Sequence, residues 1–174
     1  MPKKLLKKWL LLTCNRILKF AEEHRRERMY VDFNIDPTVR LGNIELIGNI
    51  EIGRYTYVNS GTVLSSGENS KVTIGRYCAI GRYVHASAKT HSQRVPTADE
   101  SHLSNDHLES DVKVGDYTWI GDKVYIREGV SIGKCAIIGA NSVVTNDVAD
   151  FEVVAGVPAR HIKFNTSHHR YPTK

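Results

Sequence analysis

Aliphatic residues recur at every sixth position through most of this chain: Leu46, Ile52, Val58 and Leu64, then Ile74 and Ile80, then Val114, Ile120, Ile126, Ile132, Ile138 and Val144. A helix returns its apolar face every three or four residues and a strand every two, so neither accounts for this period. A solenoid does: each hexad supplies one short strand and a corner, and three hexads close a triangular coil of about 18 residues that stacks on the next by parallel pairing. Four places after each aliphatic the side chains are mostly small or β-branched (Thr56, Thr62, Cys78, Val84, Thr90, Thr118, Val124, Val130, Ala136, Ser142 and Val148), so both positions can point into one narrow core. Glycine follows the aliphatic at Gly53, Gly75, Gly81, Gly115, Gly121, Gly133 and Gly139, where a corner is predicted to use positive φ. The 174 residues then form one domain with a core of about five coils. The period leaves the hand of the coil open, and the general rule for parallel crossovers favours the right hand.

The register breaks twice. Four extra residues fall around Ser66-Gly67-Glu68-Asn69-Ser70, a turn-rich corner. After Ala86-Ser87-Ala88-Lys89-Thr90-His91 the repeat resumes at Leu108, with Val112 four places on, which leaves a loop over 92–107 outside the coil. Interruptions of a solenoid are where surface loops take on other work. The chain therefore divides into a basic amphipathic N-terminal helix over 1–30, a hexapeptide-repeat β-helix over 41–153 with the inserted loop, and a C-terminal tail over 154–174.

Charge is concentrated at one end: residues 1–28 carry nine Lys and Arg against three Glu, +6 within a chain total of +5. Without interleaved aromatics or a binding module, that segment gives no case for nucleic acid. Leu6, Trp9, Leu10, Thr13, Ile17 and Phe20 form a helical face, too short an apolar run to cross a bilayer and without a signal-peptide cleavage pattern. A cytoplasmic protein is expected, with residues 1–28 either covering the open end of the solenoid or making peripheral contact with the inner face of an anionic membrane. Cys14, Cys78 and Cys135 have no metal-knuckle or redox spacing and read as free thiols.

His91 ends the last regular hexad before the long loop. Its context, Ile74-Gly75-Arg76-Tyr77-Cys78-Ala79-Ile80-Gly81-Arg82-Tyr83-Val84-His85-Ala86-Ser87-Ala88-Lys89-Thr90-His91, resembles the strand that presents the catalytic histidine in the maltose and galactoside O-acetyltransferases, with Ser92 where that family has proline. The last third, Ile138-Gly139-Ala140-Asn141-Ser142-Val143-Val144-Thr145-Asn146-Asp147 and Val154-Ala155-Gly156-Val157-Pro158-Ala159-Arg160-His161-Ile162-Lys163, resembles the coenzyme A end of the same left-handed β-helix acyltransferases. The resemblance implies a left-handed parallel β-helix, a homotrimer with sites between subunits, acetyl-CoA as cosubstrate with no metal, and transfer to a hydroxyl of a sugar or glycan precursor.

It also implies residue roles. His91 would be the general base, since a neutral alcohol needs its proton taken before it can attack a thioester. Asn59 would position the reacting groups, although asparagine is also the residue that best replaces glycine at a corner. The backbone N–H of Asp122 would face the thioester oxygen. Trp119, Gly121, Ala140 and Thr145 would line the donor groove, with Trp119 also suited to a subunit interface, and Arg160 and Lys163 would meet the nucleotide phosphates. His85 reads as a solvated side chain.

Three rivals remain at this level. An antibiotic-modifying O-acetyltransferase shares the reaction class. A metal lyase of the γ-carbonic anhydrase kind could use His102 and His107, but the third histidine it needs upstream is replaced by Gly67. A non-catalytic scaffold would show no thioester turnover.

Overall fold

The structure is a computed structural model that describes residues 33–91 and 107–166, with the backbone alone described at His91 and His107. The expected N-terminal helix, most of the inserted loop and the end of the tail lie outside the described residues. Contacts divide the chain at Asn34, and the description concerns the unit from Ile35 onward.

Short strands run in three parallel sheets that form the sides of a prism. The first side carries Ile50–Ile52, Val72–Ile74, Val112–Val114 and Ser131–Ile132. The second carries Arg40–Leu41, Tyr57–Val58, Ala79–Ile80, Trp119–Ile120, Ile137–Ile138 and Glu152–Gly156, and the third Glu45–Ile47, Val63–Ser65, His85–Ser87, Tyr125–Ile126 and Val143–Val144. All twelve hexad aliphatics are buried, as are the small residues four places on, except Thr90, which is half-buried. The buried hydroxyls find backbone acceptors: Thr56 Oγ1 donates to Gly75 O at 2.8 Å, Thr62 to Gly81 O at 3.1 Å and Ser142 to Gly139 O at 2.6 Å. A polar residue therefore replaces an aliphatic in the core without leaving an unpaired group.

The glycines act differently from expectation. None of the seven that follow a hexad aliphatic has positive φ; the left-handed corner lies two residues later, at Tyr55, Tyr77, Tyr83, Tyr117, Lys123, Cys135 and Asn141. What excludes a side chain at these glycines is the next coil: a Cβ on Gly75 would sit 2.7 Å from Asp116 N, on Gly115 2.6 Å from Lys134 N and on Gly121 2.6 Å from Ala140 N. Glycine here permits close stacking of backbones.

The excursion is also wider than 92–107. Lys89–His91 and His107–Glu109 pair antiparallel as a ribbon, in register Lys89↔Glu109, Thr90↔Leu108 and His91↔His107. Leu108 is 48% exposed, so the core resumes at Val112 and not at Leu108. The two arms satisfy each other's backbone groups, which frees them from the coil's ladders. At the other end, Glu152–Gly156 continues the second sheet, and Ala159–Phe164 folds back on it as an antiparallel hairpin.

Candidate active site

The sequence candidates fall on two edges of the prism. On the edge between the second and third sheets, Asn59, Gly81, Gly121 and Gly139 form one column, each N–H donating to the coil below: Asn59 to Ile80 O at 3.1 Å, Gly81 to Ile120 O at 2.8 Å and Gly121 to Ile138 O at 2.9 Å. Asn59 is half-buried, and its Nδ2 donates to the same Ile80 carbonyl at 3.0 Å. That second bond fixes the amide plane and leaves Oδ1 as an acceptor on the edge.

Asp122 follows in the neighbouring column. Its Oδ1 accepts the Arg82 N–H at 2.8 Å, as Asp116 and Asp150 accept the N–H groups of Arg76 and Lys134. The residue stacked on Asp122 is Ala140, whose methyl cannot accept. The Asp122 N–H thus has no hydrogen-bond acceptor among the described residues, a condition shared by Asp116 N–H opposite Lys134. Three residues before Asp122 in sequence, Trp119 is 56% exposed on the outer face of the second sheet.

The outer face continues into the hairpin. Register pairs Tyr57 with Ala79, Ala79 with Trp119, Trp119 with Ile137, Ile137 with Val153 and Val153 with Lys163. Lys163 therefore stands in the same row as Trp119, three strands away, about 14 Å at the usual spacing. The hairpin's register shifts between Val153 and Val154, so one residue of the return strand is extra and alternation slips by one. His161 and Phe164 consequently share a face, with ring centroids 4.9 Å apart, and Arg160 and Lys163 share the other. His161 Nδ1 lies 2.9 Å from Glu152 Oε1, whereas neither Arg160 nor Lys163 has a carboxylate partner among the described residues. Two exposed cations aligned with an aromatic and an open N–H suit an elongated anionic ligand.

Thr145 and His91 lie elsewhere. Thr145 is half-buried just after Val143–Val144, on the edge between the third and first sheets, and the ribbon bearing His91 leaves the coil from that same edge. One chain thus separates Asn59, Gly121, Asp122 and Ala140 from Thr145 and His91 by the width of a side. His85 is exposed on the third sheet, stacked on Tyr125 at 5.3 Å.

The two described cysteines are free and buried. Cys78 is buried, its Sγ lies 3.2 Å from Gly115 O, and burial pushes its pKa up to about 11, so it stays a neutral thiol. Burial likewise raises the Cys135 thiol.

Residues outside the sequence candidates organise the loop edge. Glu109 Oε2 accepts the Asn69 N–H at 2.7 Å, Asp111 Oδ1 accepts the Lys71 N–H at 3.0 Å, and Ser65 Oγ donates to Ser87 Oγ at 3.0 Å. Both breaks leave the third sheet from paired strands, Val63–Ser65 and His85–Ser87, in successive coils.

A parallel β-helix of hexads is the architecture of a class of bacterial transferases. The family described as bacterial transferase hexapeptide (six repeats) matches residues 111–146. Over 115 residues the chain is 36% identical to the galactoside O-acetyltransferase of Escherichia coli K12, covering 66% of this chain and 54% of that protein. It is 30% identical over 142 residues to a chloramphenicol acetyltransferase of Morganella morganii, covering 66% of this chain and 67% of that protein. A Vibrio cholerae hexapeptide-repeat acetyltransferase solved with acetyl coenzyme A superposes with a TM-score of 0.67 at 25% identity, over 84% of this chain and 79% of that one. The chain belongs to the hexapeptide-repeat acyltransferases, and its coil is accordingly left-handed. It spans only about half the length of the galactoside acetyltransferase it matches.

Proposed function

We propose that the protein transfers an acetyl group from acetyl-CoA to a hydroxyl of a sugar or glycan precursor, as a homotrimer. The observation that carries this reading is the row that runs from Trp119, next to the open Asp122 N–H in sequence, across the second sheet to Lys163, with Arg160 on the same face and neither cation bound to a carboxylate among the described residues. The thioester supplies the electrophilic carbonyl. The Asp122 N–H donates to the oxygen of that carbonyl as negative charge gathers there. His91 takes the acceptor hydroxyl's proton and returns it to the departing thiolate. Asn59 orients the reacting groups through Oδ1, Gly121 and Ala140 leave room along the edge, and Thr145 lines the groove from the facing edge. Because His91 and Thr145 stand on a different edge from Asn59 and Asp122, a second copy placed edge to edge completes each site, which supports the trimer.

The likeness to a chloramphenicol acetyltransferase keeps an antibiotic hydroxyl as the second reading. The polar composition of the two interruptions, Glu68 and Asn69 in the corner and Gln93, Arg94, Asp99, Glu100, Ser101, Asn105 and Asp106 in the inserted sequence, favours a polyhydroxylated acceptor, since hydrogen-bonding sites reject partners that leave them unpaired. We further propose a cytoplasmic enzyme, with peripheral membrane contact through residues 1–28. Thiol release from acetyl-CoA, screened against free sugars, nucleotide sugars, glycan fragments and chloramphenicol, is expected with the carbohydrates. Turnover confined to chloramphenicol overturns the glycan reading, and no turnover with any acceptor overturns the transferase reading.

A further inference from the structure

The two interruptions of the repeat meet on one edge. The bulging corner Ser66–Ser70 belongs to one coil and the ribbon Lys89–His91/His107–Glu109 springs from the next, and side chains that serve no part of the core join them. On the outgoing arm, Ser87 Oγ donates to Lys89 O at 2.6 Å and itself receives Ser65 Oγ at 3.0 Å, both serines being buried. On the return arm, Glu109 reaches back 40 residues to accept the Asn69 N–H at 2.7 Å. Lys89 and Glu109 are cross-strand partners, so both contacts act on the same rung, two residues from His91.

Gly67 is what gives Glu109 its seat. A Cβ there would fall directly on the Glu109 carboxylate, and on no backbone atom among its nearest neighbours. Gly67 does not have positive φ, so its backbone does not itself demand glycine. The empty volume at Gly67 is filled by the carboxylate, and a methyl group would push out a flexible side chain while leaving the coil in place.

We propose that Glu109 is a positioning residue: seated on Gly67 and bonded to the Asn69 N–H, its carboxylate sets the pose of the ribbon and through it the place of His91. This rests on the reading of His91 as general base. Among the described residues the ribbon has three rungs and no buried apolar side chain, and a two-stranded hairpin is marginal without packing. Its orientation therefore depends on the polar contacts at its root. A general base displaced by about 1 Å can cost on the order of a hundredfold in rate.

The test measures steady-state kinetics of the full chain with acetyl-CoA, using methyl β-galactoside and chloramphenicol as the two acceptors, together with amide hydrogen exchange. Glu109→Ala and Gly67→Ala are each expected to lower kcat by roughly tenfold to a hundredfold with an unchanged KM for acetyl-CoA and an unchanged melting temperature. The double variant is expected to be no worse than either single one, because both remove the same contact. Glu109→Gln keeps an acceptor oxygen for the Asn69 N–H and should recover most of the kcat. Exchange at 89–91 and 107–109 should quicken in Glu109→Ala, with Trp119–Ile120 unaffected. Unchanged kcat in Glu109→Ala, additive losses in the double variant, a loss appearing in the KM for acetyl-CoA, or unchanged exchange in the ribbon each overturns the proposal. His91→Ala separates the two readings: full turnover there overturns the general base, while the exchange measurement still decides whether Glu109 holds the ribbon.

Discussion

Along the edge between the first and second sheets, each coil repeats what the one before it does. Tyr55, Tyr77 and Tyr117 take the left-handed corner position in turn, with ring centroids 5.0 and 4.9 Å apart, and Arg76 meets Asp116 through both Nε and Nη2. Along the edge between the third and first sheets, the connection is short after Ile47, bulges after Ser65, becomes a ribbon after Ser87 and shortens again after Ile126. The first edge stabilises itself by stacking like on like. The second cannot, and it spends Ser65, Ser87, Glu109 and Asp111 on tying irregular segments to the coil. Among the described coils this scaffold confines irregular connections to one edge, where they leave the core undisturbed.

The largest effect expected on the irregular edge is on chemistry alone. His91→Ala should lower acetyl transfer by about 10²–10⁴, the usual worth of a general base, while its melting temperature stays that of the wild type. A matched loss of stability would mean that the ribbon supports the coil, and the division between the two edges would fail.

A pair of glycine substitutions sharpens the contrast. Gly115→Ala, on the regular edge, drives a Cβ to within 2.6 Å of Lys134 N, a backbone atom fixed in the next coil, and should cost about 2–3 kcal/mol of stability. Gly67→Ala meets only the end of the Glu109 side chain and should leave the melting temperature unmoved. Equal melting temperatures for the two variants would show that stacking distance is not what excludes side chains from the glycine columns.

Neutralising Arg160 and Lys163 together should raise the KM for acetyl-CoA by roughly tenfold or more and leave the KM for the acceptor unchanged, since charge-assisted hydrogen bonds contribute about 1.5–3 kcal/mol. Unchanged donor affinity would mean that the exposed cations on the hairpin are solvated and do not meet the donor.

Much of the regular edge was legible in the sequence, because the twelve hexad aliphatics report a core that repeats. The irregular edge was not. Leu108 looks like the next hexad residue, yet it is exposed, since antiparallel pairing with Thr90 carries it off the coil. The hexad glycines suggested positive φ because glycine tolerates it, whereas the constraint came from the neighbouring coil, which a one-dimensional pattern does not display. Asn59 could be read as a corner or as a site residue, and its second bond to Ile80 O suits both roles. Glu109 gave no local signal at all: its partner Asn69 lies 40 residues away and is brought near only by the stacking of coils.

The smallest effect belongs to the ion pair of the regular edge. Burial alone would raise the Asp116 carboxyl, but hydrogen bonds from the Arg76 side chain and N–H, with the guanidinium charge, outweigh it and hold the pKa below the usual carboxylate value. A folded-state pKa below the unfolded one contributes stability that is fully present above about pH 4 and is lost as the pH falls through the folded value. Both side chains are partly exposed, so solvent screening keeps the contribution of the pair small. Asp116→Asn keeps an acceptor for the Arg76 N–H and removes the charge. Its stability should lie slightly below the wild type at pH 7 and converge with it as the pH falls through that window, in urea melts followed from pH 7 to pH 3. A constant gap across the range would assign the stabilisation to the hydrogen bonds alone, and the edge would then depend on shape and stacking with no measurable share from charge.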